Sequence, residues 1–255
     1  MSNNDNLKKM YHDGSLVGLV GISQGGMETP SALTSWSVDE WGRMTDVVVK
    51  DGQTEIPASW QRYNNSLISV TLPNSITTIG QHAYDNAGNN MHINIPSGVT
   101  FVDTHAFDGA SIDSDLTIPY GSMSAATSGY NSTWVYGFNN ATFNNNTVTI
   151  ESGATIIPQQ MFYQTKNVTV IVPDTVTYLV KECFSPPTYN GTITVKFLGT
   201  TPPSAQSYTY NSTTCPFYAY NSSYLNNLTI LVPSGSKNAY TNMFGSNIGA
   251  RVQTY

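Results

Sequence analysis

Short phrases of alternating apolar and polar residues recur along most of the chain. Residues 68–84 read ISVTLPNSITTIGQHAY, residues 91–107 read MHINIPSGVTFVDTHAF, and residues 168–184 read VTVIVPDTVTYLVKECF. Val70 with Leu72, and Ile93 with Ile95, alternate at period two, so each pair points to one face of a short strand. Pro73, Pro96 and Pro173 close these runs. Proline has no N–H to donate, so it ends ladder pairing. Tyr84, Phe107 and Phe184 each follow their proline by eleven residues, and each comes directly after a small residue: Ala83, Ala106 or Cys183. Pro73, Pro96 and Pro119 are spaced 23 residues apart.

A second phrase also recurs. Residues 47–60 (VVVKDGQTEIPASW) align with residues 148–161 (VTIESGATIIPQQM) without a gap, matching Gly52, Thr54, Ile56 and Pro57 to Gly153, Thr155, Ile157 and Pro158. The similar order about 100 residues apart suggests an old duplication. Each unit is then one short strand, a turn and a return segment in which residues such as Ile76 and Ile79 fold back over the strand. One such unit cannot bury its own apolar face, whereas stacked neighbours can. The pattern therefore predicts a β-rich, leucine-rich-repeat-like solenoid with short strands. Trp60, Tyr84, Phe107, Met161 and Phe184 are the expected plugs between coils.

The phrases SVTLPNSITTIGQHAY, INIPSGVTFVDTHAF and VIVPDTVTYLVKECF resemble the BspA-type leucine-rich repeats of bacterial surface proteins and some phage proteins. FLGTTPP (197–203) followed by LTILVPSGSKNAY (228–240) resembles that family's closing module. The resemblance spans residues 47–245. It implies a solenoid and says little about function.

Two stretches depart from the pattern. Residues 1–46 do not fit the repeat, and they carry Leu16, Val17, Leu19, Val20, Trp36 and Trp41. They are expected either to cap the first coil or to dock on another protein, since exposed apolar patches usually mark interfaces. The division is thus 1–46 as an N-terminal docking or capping segment and 47–255 as the solenoid. Residues 120–147 are expected to be irregular, as a degenerate repeat or an inserted loop.

Charged residues make up only 10% of the chain, against roughly 25% in an average soluble domain. Solubility must rest on Asn, Ser and Thr. Sixteen acids against ten bases give a net charge of −6, without the basic stripe that phosphate binding needs. Nucleic acid is accordingly not an expected partner. Lys8 and Lys9 precede an apolar run, 16–22, that Gly18 and Gly21 interrupt, too short for a secretory core. No stretch approaches the roughly 20 apolar residues of a membrane helix. Neither export by a standard signal nor membrane insertion is expected. Cys183 and Cys215 are too few for a disulfide framework and are read as buried thiols, with a single disulfide as the alternative.

The sequence carries no catalytic signature. His82 and His105 hold equivalent repeat positions, which points to structure. No His or Cys pair has metal-ligand spacing, and there is no nucleophile elbow or phosphate loop. Asp39–Glu40 and Asp113 with Asp115 are the closest carboxylate groupings and read as turn acids, although a glycosidase pair assembled by the fold is left open. Nine Asn-x-Ser/Thr triplets follow from the abundance of those residues. No catalytic residue, cofactor or metal is expected. Tyr208, Tyr210, Tyr218, Tyr220 and Tyr224 lie in Ser/Asn-rich stretches, the composition of adaptable contact surfaces. They are the candidate contact surface, set against plain packing.

The favoured reading is a non-enzymatic bacteriophage virion protein. Residues 1–46 would dock on other virion proteins, and the solenoid would meet a host-surface glycan or protein, with a homo-oligomer open. The alternatives are a BspA-type adhesin on the bacterial surface and a glycan-active enzyme.

Overall fold

The computed structural model describes residues 32–123, 133–206 and 215–255. In chain order the strands are β1 Leu33–Val38, β2 Met44–Val49, β3 Glu55–Ile56, β4 Ser69–Thr71, β5 Thr78–Ile79, β6 His92–Ile93, β7 Phe101–Val102, β8 Ser111–Ile112 and β9 Leu116–Ile118. There follow β10 Thr142–Ile150, β11 Ile156–Ile157, β12 Lys166–Val172, β13 Tyr178–Leu179, β14 Ile193–Phe197, β15 Ser204–Ala205, β16 Leu228–Val232 and β17 Val252–Thr254. Strands from successive coils pair in parallel, giving the sheets β2-β4-β6 and β8-β10-β12-β14-β16-β17 on one side and β3-β5-β7 and β11-β13-β15 on another. β9 joins the long sheet through β10. The architecture is the β-rich repeat solenoid that the alternation predicts.

Register explains the core. Val47, Val70 and Ile93 align across β2, β4 and β6. Leu116, Val148, Val170, Val195, Ile230 and Val252 align across the long sheet. All are buried, because alternate residues of a strand face the same way. Ile76 and Ile79 close over them, fully buried.

The return segment is an arc built from alternating backbone hands. Ser59, His82, His105, Tyr136, Gln160 and Glu182 all have φ between 52° and 59°. Four residues on, Tyr63, Asn86, Gly109, Asn140 and Gln164 are left-handed as well. Alternate N–H groups then point to the next coil. Those of Ser59, Gln61 and Tyr63 donate to the carbonyls of Gln81, Ala83 and Asp85, and those of His82, Tyr84 and Asn86 to Thr104, Ala106 and Asp108. Inter-coil bonds satisfy a backbone that an L-residue otherwise enters at a cost of about 1–2 kcal/mol.

The arc carries the plugs. Tyr84, Phe107, Phe138, Phe162, Phe184 and Phe217 form one buried column, with successive ring centroids 5.1, 5.2, 5.6, 5.6 and 5.9 Å apart. Trp60 and Met161 are also buried, yet they sit one residue before the stacking position, where Ala83, Ala106 and Cys183 stand. The ungapped match of residues 47–60 to 148–161 is sound; Tyr84, Phe107 and Phe184 stack as expected, and the expected plugs Trp60 and Met161 are corrected by one residue. Phe162 stacks in place of Met161. In the first coil Gln61 holds the column, donating to Met44 Sδ and accepting from Asn64, while Trp60 reaches over to Tyr84 edge-on at 6.0 Å.

The irregular stretch is narrower than 120–147. The coil resumes at Thr133, whose hydroxyl donates to the Val102 carbonyl, and Phe138 and β10 follow, with a shift of register between Thr142 and Asn146. The spacing of stacked positions lengthens here from the 23 residues between Tyr84 and Phe107 to the 31 between Phe107 and Phe138. A four-residue helix, Tyr120–Met123, begins the insertion.

Both ends are covered. β1 pairs antiparallel with β2, so residues 33–49 form a hairpin over the first coil. Strand β2 begins at Met44, before the Val47 boundary read from the repeat. Leu33 is buried and Trp36 packs against the core, which gives these residues a capping duty. Leu16, Val17, Leu19 and Val20 lie outside the described residues. At the other end the helix Lys237–Phe244 lays Tyr240 and Phe244 over Phe197 and Phe217.

Candidate contact surface

The long sheet presents its alternate residues outward. Thr147, Thr169, Thr194 and Thr229 are in register on β10, β12, β14 and β16, all half-buried, at the roughly 4.8 Å strand spacing. The next row is Thr149, Ile171, Lys196 and Leu231. Its one cation is covered: Lys196 Nζ lies 4.2 Å from the centroid of the Tyr255 ring, and the Tyr255 hydroxyl donates to the Phe197 carbonyl at 3.1 Å. The result is a neutral ledge of methyls and hydroxyls held by a rigid backbone.

Beside it, two loops bring tyrosines together. Tyr220 is 88% exposed, while Tyr218 and Tyr224 are half-buried. Tyr208 and Tyr210 lie outside the described residues. Tyr224 meets Tyr189, a residue absent from the expected set, at 6.2 Å between centroids. Tyr189 is itself 72% exposed. A hydrogen bond between these phenols, and then the charge of the Tyr189 phenolate, hold Tyr224 above its ordinary value. The 3-10 turn Ser222–Asn227 is fixed by Asn221, whose side chain accepts from the Ser223 N–H, and by buried Leu225. Asn227 Nδ2 donates to the Pro187 carbonyl at 2.8 Å and ties the turn to the loop bearing Tyr189. Nothing linear links Tyr189 with Tyr224; only a Pro-Pro-Thr-Tyr-Asn-Gly turn marked the first as exposed.

Of the residues considered for catalysis, Asp39, Asp115, His82 and His105 are held in structural contacts. Asp39 is partly buried, which works against its charge. Bonds from the Ser66 hydroxyl, the Arg43 N–H and guanidinium, and the Trp41 N–H outweigh that and bring its pKa down to about 2. Asp115 accepts from the Thr147 N–H and so aligns two strands. His82 and His105 stack with centroids 4.9 Å apart, His105 stacks on Tyr136 at 4.5 Å, and each imidazole Nδ1 bonds an aspartate, Asp85 or Asp108. Among the described residues no three His, Cys, Asp or Glu side chains gather as metal ligands. No helix there is long and apolar enough to cross a membrane. Cys183 is buried, and the Cys215 side chain lies outside what is described.

Six copies of a BspA type leucine rich repeat region match residues 54–190 and 132–248. The chain belongs to the BspA-type leucine-rich repeat family. That membership suggests a surface or protein-binding role, and the repeat is typically a non-enzymatic binding domain. No curated protein matches the chain. In this BspA-type array one outward row of threonines and the tyrosines of the C-terminal loops lie at the surface.

Proposed function

We propose that this BspA-type protein is a non-enzymatic attachment protein of a bacteriophage virion, with residues 1–46 bound to other virion proteins and the array turned outward to a host-surface glycan or protein. The observation that carries the contact role is the outer surface: a row of threonines, with Tyr189, Tyr220 and Tyr224 on the adjoining loops. Such groups make weak contacts, which gain from multivalent display on a particle. In support of carriage by a larger assembly stands the apolar content of residues 16–20, which precedes the capping hairpin. A second reading, an adhesin on the bacterial surface, is favoured by the repeat family itself.

Immunogold electron microscopy of the native source separates the two: label on particles is expected, and label confined to cell envelopes supports the adhesin. Whole-cell binding of the purified chain is expected to fall when Tyr189 and Tyr220 are both replaced by Ala. Unchanged binding removes the tyrosines from the contact surface. A chain beginning at Ala32 keeps the hairpin, so it is expected to stay folded by circular dichroism and to lose its place on the particle.

A further inference from the structure

Two aromatic rings stand out at the opposite end of the array. Trp41, at the tip of the β1–β2 hairpin, is 69% exposed, and Tyr63, in the first arc, is 62% exposed. Each ring is backed by a guanidinium. The Arg43 carbon lies 5.1 Å from the Trp41 centroid, and that of Arg62 lies 4.7 Å from the Tyr63 centroid. Both arginines are held in turn. Arg43 Nε donates to Asp39 at 2.7 Å and its Nη1 to Asn65 Oδ1 at 3.0 Å. Arg62 Nε donates to Asp85 at 2.9 Å and its Nη2 to the Tyr63 hydroxyl at 2.9 Å. The Arg43–Asn65 bond joins the two loops, since Asn65 is two residues from Tyr63.

Tyr63 also has a backbone φ of 60°, in a position that later coils fill with Asn86, Gly109, Asn140 and Gln164. Amide side chains and glycine tolerate that conformation, whereas a bulky ring there is an outlier. The conformation is held by the bond from the Tyr63 N–H to the Asp85 carbonyl, as equivalent bonds hold it in the later arcs, and it leaves the ring directed to solvent.

We propose that Trp41 and Tyr63 form a two-ring platform for a neutral saccharide, with Arg43 and Arg62 as positioning residues. The negative face of an aromatic ring attracts weakly positive edges, and the C–H face of a pyranose supplies them. Both guanidiniums are already matched by Asp39 and Asp85, so a sulfate or carboxylate finds no uncommitted cation. Bracing spares the side-chain ordering that binding otherwise costs. Exposed Asn65 and Glu40 flank the rings with hydrogen-bonding groups for sugar hydroxyls. Trp, Tyr and Arg also make up protein hot spots, so a protein ligand is the rival occupant. The platform is separate from Tyr189 and Tyr220; because Trp41 belongs to the capping hairpin, it requires that docking on a particle be carried by the residues before Ala32.

The test is calorimetric and fluorescence titration of the full chain with cellohexaose, mannohexaose and N-acetylchitohexaose, each in turn. At least one is expected to bind, with Trp41→Ala and Tyr63→Ala each weakening it about tenfold or more, near 1.4 kcal/mol. Arg62→Gln is expected to weaken it less, and Tyr220→Ala not at all. Thermal melts of the variants check that the fold persists; Trp41→Phe, which keeps a ring, is expected to restore part of the affinity. Absence of binding to all three sugars overturns the proposal, as does binding that survives loss of both rings. A host protein that binds the chain through Trp41 while no sugar does so assigns the platform to a protein and overturns the saccharide.

Discussion

At the residue scale, the stacked plugs carry the largest individual effects. Phe107 is fully buried between Tyr84 and Phe138 and also meets Trp134 at 6.1 Å. Its replacement by Ala leaves a cavity that the coils on both sides cannot collapse into, because inter-coil hydrogen bonds fix their spacing. Equilibrium denaturation is expected to show a loss of about 3–5 kcal/mol; a loss within the range of surface substitutions contradicts the column. The alternation and the proline-to-aromatic offset disclosed Tyr84, Phe107 and Phe184 from the sequence. Phe138 and Phe162 were missed for different reasons. Phe138 follows an insertion that breaks the count, and Phe162 comes one residue after the end of the Ile-Pro phrase, whose spacing marks Met161.

At the scale of the element, the β1–β2 hairpin depends on two carboxylates. Asp39 fastens its turn, and Asp46 accepts from Ser37, Thr45 and Ser69 across three strands. The Ser37 bond, opposed by burial and helped by Thr45 and Ser69, lowers the Asp46 pKa. Both groups are more acidic when folded than the roughly 3.9 of an unfolded Asp. The stability they add is therefore complete above that value and is lost as pH falls through the folded pKa, about 2 for Asp39. Between those limits the amides of residues 33–49 are expected to lose exchange protection while those of β12 and β14 keep theirs. Asp39→Asn is expected to weaken the hairpin already at neutral pH and to reduce its acid response. Equal loss in hairpin and array sinks this account.

At the scale of the molecule, each coil touches only its neighbours, so stability is a sum of coils and interfaces. The weakest joint by topology is the 31-residue connection, where β10 must pair with both β8 and β9. Phe138 bridges it through Phe107 and Phe162. Phe138→Ala is expected to split a single unfolding transition into two, read by calorimetry, with Trp60 reporting on the N-terminal half. A single transition merely shifted to lower temperature shows that the coils remain coupled through the sheets alone.

The sequence by itself determined the coil. Period-two alternation, a terminating proline and a fixed aromatic offset are local rules, and they dictate a strand, a turn and a plug wherever the chain repeats them. Tertiary structure alone decided what depends on neighbours. Whether Met161 or Phe162 stacks follows from which backbone hand the preceding arc adopts against the next coil. Tyr189 meets Tyr224 because Asn227 reaches a carbonyl 40 residues away. The loops bearing Trp41 and Tyr63 are joined because Arg43 reaches Asn65 across 22 residues. Contacts of that range depend on how many residues intervene between coils and on which side chains bridge them, and a local pattern carries neither.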